Sequence, residues 1–301
     1  MKLDTNVPLC LFFYNRPQFV YSCFEALNKN KGITKTPIYV FIDGPKSEDD
    51  RKKVDETYNN ILELDKSFFL SIHIYKSERN IGLATSIIKG VSQVLHDYDS
   101  VIVLEDDLVV SSNFINYMNQ SLSFYKSNKD VGSISGFGFN VNKKSESENF
   151  FHHRPTSWGW ATWRDRWDKA IWDLSKESEI TRADFKKLFN RGGQDLYRML
   201  KAYLDNKIDS WAIRWAYTHY KYNWKASCPY LSKVINYGYG DEATNCKTEN
   251  PFKINFDTSE KTSFELLENV YLDPSIVKEM NWFNSNLYRL VSKIKLSLNL
   301  E

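Results

Sequence analysis

Four apolar side chains, Val101, Ile102, Val103 and Leu104, run directly into three carboxylates, Glu105, Asp106 and Asp107. Such a run reads as a buried strand that ends in concentrated negative charge. Side chains alternate along a strand, so Glu105 and Asp107 are expected on one side of a sheet and Asp106 on the other. Three acids this close repel one another and require a counter-charge. Hard oxygen ligands at the C-terminal end of a strand in an α/β protein suit Mg²⁺ or Mn²⁺ carrying a diphosphate. A metal-nucleotide site is therefore one reading of the segment, and a strand running into an acidic solvated loop is the other.

Further polar residues fall where other apolar runs stop. Arg16 follows the run from Val7 to Tyr14, and Asp43 follows Ile38 to Ile42 in the turn Asp43-Gly44-Pro45. Arg79-Asn80-Ile81-Gly82-Leu83 links a third run to a helical pattern, and Gly82 would let backbone approach a ligand closely. Asp43 also suits a plain turn, and Arg16 a solvated cation at a helix start. Trp158, Trp160, Trp163, Trp167 and Trp172 crowd into one short stretch. Flat aromatic faces beside polar groups suit sugar rings, although a structural seam of indoles accounts for the same residues. Asp209, between Ile208 and Trp211, could be partly desolvated and so act as a base with a raised pKa, or could cap a helix. The stretch Asn236 to Asn245, with Gly238 and Gly240, could fold over phosphates through its N–H groups or be a surface turn.

Alternating strands and helices are expected to position these residues. The run Val7 to Tyr14 predicts a strand covered on both faces. Asn15 as cap and Pro17 in the first turn then open a helix through Val20, Cys23, Phe24 and Leu27, with Gly32 past its end. Ile38 to Ile42 predicts a second strand. Ser47 and Asp50 form a capping-box pattern for a helix through Val54, Tyr58, Ile61 and Leu62. Phe68 to Tyr75 predicts a third strand, Leu83, Ile87, Val91 and Val94 the stripe of a third helix, and Val101 to Leu104 a fourth strand. A helix over Phe114 to Tyr125 and a strand around Val131 to Phe139 follow. The pattern is that of an α/β fold with an open, mostly parallel sheet wrapped by helices.

Composition narrows the function classes. With 40 basic and 38 acidic residues the formal net charge is +2, which leaves no overall footprint for nucleic acid. The four cysteines, Cys10, Cys23, Cys228 and Cys246, have no CxxC spacing; reduced thiols, a reducing compartment and no structural zinc are expected. The apolar run Val7 to Tyr14 is too short to span a bilayer. A cytoplasmic location is the expectation.

In their order along residues 7 to 246, these motifs resemble bacterial glycosyltransferases of the family 2 type and relatives of the N-acetylglucosaminyltransferase I group. The motifs are Asn15-Arg16-Pro17, Asp43-Gly44-Pro45, Arg79-Asn80-Ile81-Gly82-Leu83, Glu105-Asp106-Asp107, Ser157-Trp158-Gly159-Trp160-Ala161-Thr162-Trp163 and Asp209-Ser210-Trp211. The resemblance implies a GT-A fold, a nucleotide-sugar donor, a glycan acceptor and a divalent metal, Mn²⁺ or Mg²⁺. By the same resemblance Asp107 would bind the metal, Glu105 and Asp106 the sugar and ribose side of the donor, Asp43 the base, and Arg16 the base or phosphate. Asn80 and Gly82 would also contact the donor, and Trp158, Trp160 and Trp211 the acceptor or sugar. Asp209 would be the catalytic base of an inverting displacement. Ser210 stands where the related pattern carries an acid, and the loop from Gly238 to Asn245 matches the related donor-covering loop only loosely.

The implied organisation is a nucleotide-sugar-binding half over residues 1–135, an aromatic-rich acceptor half over 136–250, and an extension over 251–301. In the extension, Trp282, Phe283, Leu287, Leu290, Val291, Ile294 and Leu298 fall near helical spacing with Arg289, Lys293 and Lys295 among them. That pattern suits docking on the protein's own core, oligomer packing or peripheral contact with the inner face of the cytoplasmic membrane. A UDP-sugar donor, an oligosaccharide or lipid-linked acceptor and a role in surface polysaccharide or lipooligosaccharide synthesis are the corresponding expectations. A sugar-nucleotide pyrophosphorylase would open with a glycine-rich phosphate loop, and Asn15-Arg16-Pro17 has no glycine. A carbohydrate-binding module would leave the acidic triplet unexplained.

Overall fold

The computed structural model describes residues 6–239, 254–285, 287, 288, 290 and 291. Its first apolar run forms β1 (Leu9–Phe13), buried at every position. There follow α1 (Gln18–Asn28), β2 (Pro37–Ile42), α2 (Glu48–Glu63), β3 (Ser71–Lys76), α3 (Leu83–Asp97) and β4 (Ser100–Glu105). The chain continues through β5 (Leu108–Val110), α4 (Phe114–Tyr125), β6 (Val131–Ser135), β7 (Asn149–His152), β8 (Trp160–Trp163) and the short α5 (Arg164–Trp167). Then come α6 (Phe185–Phe189), α7 (Leu196–Leu204), α8 (Trp211–Lys221), β9 (Lys225–Pro229), β10 (Val234–Asn236) and α9 (Pro274–Phe283).

Eight strands form one sheet in the order β3-β2-β1-β4-β8-β6-β9-β7, and β10 pairs with β5 in a separate ribbon. The four strands from β3 to β4 are parallel. β8 enters antiparallel between β4 and β6, and β9 lies parallel to β6. Alternation along β1 divides the core: Leu9, Leu11 and Phe13 pack with α1 and α4 on one face, while Cys10 and Phe12 pack with α3 and the indoles on the other. Parallel strands covered on both faces need apolar residues at every position, which is why β1 and β4 carry unbroken runs. The thiols of Cys10, Cys23 and Cys228 are free and buried.

Helix starts follow the sequence with one exchange of partners. Ser47 Oγ accepts the Asp50 N–H at 3.2 Å and opens α2. Asn15 does not cap α1; its amide donates instead to Asp50 Oδ1 at 2.8 Å, beside Tyr14 Oη donating to Asp50 Oδ2 at 2.8 Å. This latch ties the end of β1 to the start of α2.

Three boundaries and the burial of one side chain differ from expectation. β3 begins at Ser71 because only Phe69 of the run from Phe68 to Leu70 turns into the core. β6 stops at Ser135, where Gly136 N donates to Gly159 O at 2.5 Å and turns the chain toward β8. Leu62 on α2 is exposed. A C-terminal helix starts at Pro274, capped by Asp273, and ends at Phe283, and beyond a turn Leu287, Leu290 and Val291 of the expected stripe, with Tyr288, are helical again. Phe283 stacks on Phe139, Trp282, Leu287 and Leu290 are exposed, and Ile294 and Leu298 lie outside the described residues. Among the described residues no helix is long and apolar enough to cross a membrane.

Candidate active site

The C-terminal ends of β1, β2 and β4 lie side by side, and each delivers one of the polar motifs. Arg16 leaves β1 and reaches the turn after β4. Its Nη2 and Nε donate to the two carboxylate oxygens of Asp106, the latter at 3.2 Å, and its Nη1 donates to Asp107 Oδ2 at 2.9 Å. The required counter-charge is thus a guanidinium from the chain itself. This corrects one expectation. β4 ends at Glu105, so Asp106 and Asp107 sit in a turn rather than on opposite faces of a strand, and both meet Arg16. Arg16 and Asp106, expected to face the donor, are engaged by each other.

Asp43 has a different set of partners. Its Oδ1 accepts from the N–H groups of Gly44 and Ile81, and its Oδ2 from Gly82 N–H and Asn80 Nδ2, all at 2.9 Å. Asn80 Nδ2 also donates to Gly44 O. A carboxylate has about four lone-pair positions, and here all are occupied. The expected contact to a base would have to displace one of these donors. The carboxylate instead shapes the loop from Asn80 to Gly82, and a side chain on Gly44 would overlap the Arg79 backbone. Gly82, at φ +81°, starts α3 with open space where a Cβ would stand.

The β5–β10 ribbon folds a third segment onto the acidic turn. Asn236 pairs with Leu108, and Tyr237 N donates to Asp107 O at 2.9 Å. Gly238 N then donates to Asn236 Oδ1 at 2.6 Å, and any Cβ on Gly238 would overlap the Asp107 carboxylate. Asn236 to Tyr239 therefore lie against the metal candidate, while the expected loop residues 240–245 and Cys246 fall outside the described residues. Trp158 stands at this edge, with Phe137 at 4.6 Å and Tyr239 at 5.9 Å between ring centroids.

The other two indoles expected to face a sugar are buried. Trp160 is 1% exposed and Trp211 3%, stacked on each other at 5.0 Å. Trp167, Trp172, Trp215 and Trp224 complete the cluster. The structural seam prevails because Trp160 lies within β8, opposite Val103 of β4. Its stacking on Trp211 brings the start of α8 toward the acidic end of β4. Asp209 precedes that start, and Ser210 is the cap, accepting the Ile213 N–H at 3.3 Å. The expected apolar enclosure of Asp209 is absent: its side chain is 62% exposed and pairs with Arg214 at 2.9 Å. Arg214 was not singled out from the sequence, although its place one helical turn after Ser210 carried the signal.

The family model for glycosyl transferase family 2 matches residues 9–203, from β1 to the end of α7. The chain belongs to glycosyl transferase family 2. No curated protein matches it. Among solved structures, the mannosyltransferase PcManGT from Pyrobaculum calidifontis, in complex with GDP-Man and Mn²⁺, is 10% identical with TM-score 0.40, over 73% of this chain and 70% of that one. S. aureus TarS is 16% identical with TM-score 0.32, over 48% of this chain, which thereby spans 24% of TarS. TarS 1–349 is 14% identical with TM-score 0.38, over 76% and 58%. The glycosyltransferase has the mostly parallel, helix-flanked sheet of the GT-A fold.

The donor set of the acidic turn fits a divalent cation. Burial, with Asp107 and Asp106 adding, pushes the Glu105 carboxyl up to about 8 against the pull of Arg16. Burial also raises Asp106, to about 7, although Arg16 opposes it. Glu105 and Asp106 are thus held partly protonated near neutral pH, and a cation brought to the turn would favour their ionised forms. Asp107 Oδ1 has no hydrogen-bond partner among the described residues. Among the described residues no group of three His, Cys, Asp or Glu side chains is placed to hold a metal ion by itself. Mg²⁺-like ions bound by one or two carboxylates plus substrate phosphates need none.

Proposed function

We propose that this glycosyltransferase moves N-acetylglucosamine or another hexose from a UDP-sugar to a hydroxyl of an oligosaccharide or lipid-linked glycan, with inversion, in bacterial surface polysaccharide or lipooligosaccharide synthesis. The observation that carries the reading is the convergence on Asp107 of Arg16 after β1, the turn after β4 and Gly238 after β10. Three chain segments meet at one carboxylate whose second oxygen has no hydrogen-bond partner among the described residues. Buried free thiols agree with a reducing, cytoplasmic setting, at the membrane's inner face for a lipid-linked acceptor.

In this mechanism Asp107 would hold Mn²⁺ or Mg²⁺ through its second oxygen, and a cation there would also favour the ionised form of the neighbouring Glu105. When bound, the cation offsets the charge that develops on the leaving nucleotide diphosphate. Arg16 fixes the Asp107 rotamer from the other oxygen. Asn80 and Gly82, set by Asp43, present polar backbone and an open surface to the nucleoside. Trp158 offers its partly exposed indole to the sugar or acceptor. Asp209 takes the proton from the acceptor hydroxyl, and Arg214 orients its carboxylate. Attack from the face opposite the leaving group converts an α-linked donor into a β-linked product.

Calorimetric titration of UDP and GDP, with Mn²⁺ and with chelator, tests this on the wild type and Asp107→Ala. UDP is expected to bind with metal and to lose its binding with chelator or in the variant. GDP binding in its place would reassign the base. Binding of neither would refute the donor site.

A further inference from the structure

The β5–β10 ribbon meets the C-terminal part of the chain at residue 233. Lys233 immediately precedes β10, and Ser111 immediately follows β5. Ser111 N donates to Lys233 O at 2.9 Å, and Lys233 N donates to Gly136 O at 2.7 Å. The segment 254–260 lies along this strand start. Phe256 pairs with Ser232 in a parallel bridge, Ser232 N donates to Asn255 O at 2.7 Å, and Asp257 N donates to Ser232 O at 2.9 Å. That docking brings Asp257 to Lys233. Lys233 Nζ donates to Asp257 Oδ2, and the two side chains are only 1% and 2% exposed.

Neighbouring groups hold this pair on every side. Asn113 Nδ2 donates to Asp257 Oδ2 at 3.0 Å and Ser259 N to Asp257 Oδ1 at 2.8 Å. The Lys233 ammonium stands over the rings of Phe264 and Tyr117, at 4.6 and 5.2 Å from their centroids. Burial opposes the charge on Asp257, but the hydrogen bonds from Lys233 and Ser259 outweigh it and take the carboxyl down to about 2. Burial also pulls Lys233 below the usual lysine range, with Asp257 opposing. Two desolvated charges add little net stability, since apolar side chains of similar volume often serve as well or better, whereas stranding either charge is costly. What such a pair does impose is a single arrangement.

That arrangement is the register of β10, in which Val234 faces Val110, Ile235 faces Val109 and Asn236 faces Leu108. A slip of one residue would turn Lys233 to the other face of the ribbon and leave a buried carboxylate without its cation. At the other end of the ribbon the same slip would bring Tyr237 or Tyr239 to the position of Gly238, where any Cβ overlaps the Asp107 carboxylate. The ion pair and the acidic turn are therefore coupled through the strand between them.

We propose that Lys233 and Asp257 are positioning residues: their ion pair fixes the register of β10 against β5, and through it the segment 254–260 holds the Asp107 carboxylate in place. The consequence for metal binding rests on the reading of Asp107 as the metal ligand; the register itself does not.

The test removes both charges together, as Lys233→Met with Asp257→Asn, which keeps an apolar chain over the two rings. Amide hydrogen exchange of the full chain, without nucleotide or metal, is read by mass spectrometry on peptides covering 234–239 and, as a control, β1. In the double variant residues 234–239 should exchange at least about tenfold faster, the equivalent of one hydrogen bond to a charged group, while β1 stays within about twofold of the wild type. Asn113→Ala keeps both charges and removes one donor to Asp257. It should quicken the same peptide by a smaller factor, and it carries the test if the double variant does not fold. Calorimetry with UDP and Mn²⁺ on the same samples should show affinity at least about tenfold lower at a Tm close to that of the wild type, a split that loss of packing alone does not produce. Unchanged exchange over 234–239, or acceleration that β1 shares in proportion, would overturn the proposal. So would wild-type UDP affinity in a variant whose ribbon has loosened. A wild type that binds no nucleotide with metal, while its ribbon still loosens on removal of the pair, would refute the donor-site reading and uphold the register.

Discussion

Asp43→Asn separates a carboxylate that builds the nucleotide loop from one that touches the nucleotide. The substitution conserves shape, but an amide presents one acceptor oxygen where the carboxylate presents two. Whichever way it turns, two of the four donors, either Gly44 and Ile81 N–H or Gly82 N–H and Asn80 Nδ2, then face another N–H. Hydrogen bonds to a charged group contribute about 1.5–3 kcal/mol each, so losing two costs about 3–6 kcal/mol. Access to water beside Gly82 favours the lower figure. For a chain of this size about 1 kcal/mol corresponds to roughly 2 °C in Tm, so a fall of about 6 °C is expected, read by thermal unfolding of the full chain. UDP affinity should fall with it, because the loop from Asn80 to Gly82 loses its template. Asn80→Ala, which removes one donor, should lower Tm by a third as much or less. A variant that unfolds at the wild-type temperature yet no longer binds UDP would refute the reasoning and make Asp43 a ligand contact.

Gly238→Ala should weaken metal-dependent UDP binding at least tenfold with a smaller loss of Tm than Asp43→Asn, because the added methyl displaces the Asp107 carboxylate; calorimetry giving wild-type affinity would sink this account. Trp211→Ala removes an indole from the middle of the stacked cluster and should cost about 3–5 kcal/mol in urea unfolding. Trp211→Phe should cost much less, and an unchanged midpoint for the alanine variant would contradict the burial. Acid sensitivity should follow the histidines. Burial, first of all, lowers His152, His153 and His219 to about 3, 4 and 3, so between about pH 6 and 4 the unfolded chain binds protons that the folded one refuses. Stability from this source is complete above pH 6.5 and declines as pH falls, by about 1.4 kcal/mol per pH unit for each histidine. A urea midpoint independent of pH between 6 and 4.5 would exclude it.

The strands and helices that build the donor half were legible because their signals are local. α4 spans the residues its periodicity predicts, and β1, β2 and β4 lie within a residue or two of their apolar runs. β5, β8 and β10 were not legible, since three or four residues carry no period and owe their conformation to partners far along the chain. The same limit governed the indoles. Their density signalled something unusual, but only the register of Trp160 against Val103 decides that this indole faces the α3–α8 layer and not a sugar.

Side-chain identity at the site was legible where pairing was not. Arg16, Asp43, Asn80 and the acidic triplet stand out by charge at the ends of apolar runs, and the fold does carry them to one edge. Which atom satisfies which depends on distances between loops separated by 90 residues in the case of Arg16 and Asp106. The outcome reverses the simple expectation for the triplet. A guanidinium neutralises part of its charge, so the turn can fold before any cation arrives, and this explains how three carboxylates survive in a buried turn. Asp107 Oδ1 has no hydrogen-bond partner among the described residues, and burial keeps Glu105 and Asp106 raised, so the site retains a demand for positive charge. The physical consequence is a turn stable enough to be preorganised and still electrostatically incomplete, the condition that the proposed metal-diphosphate site requires.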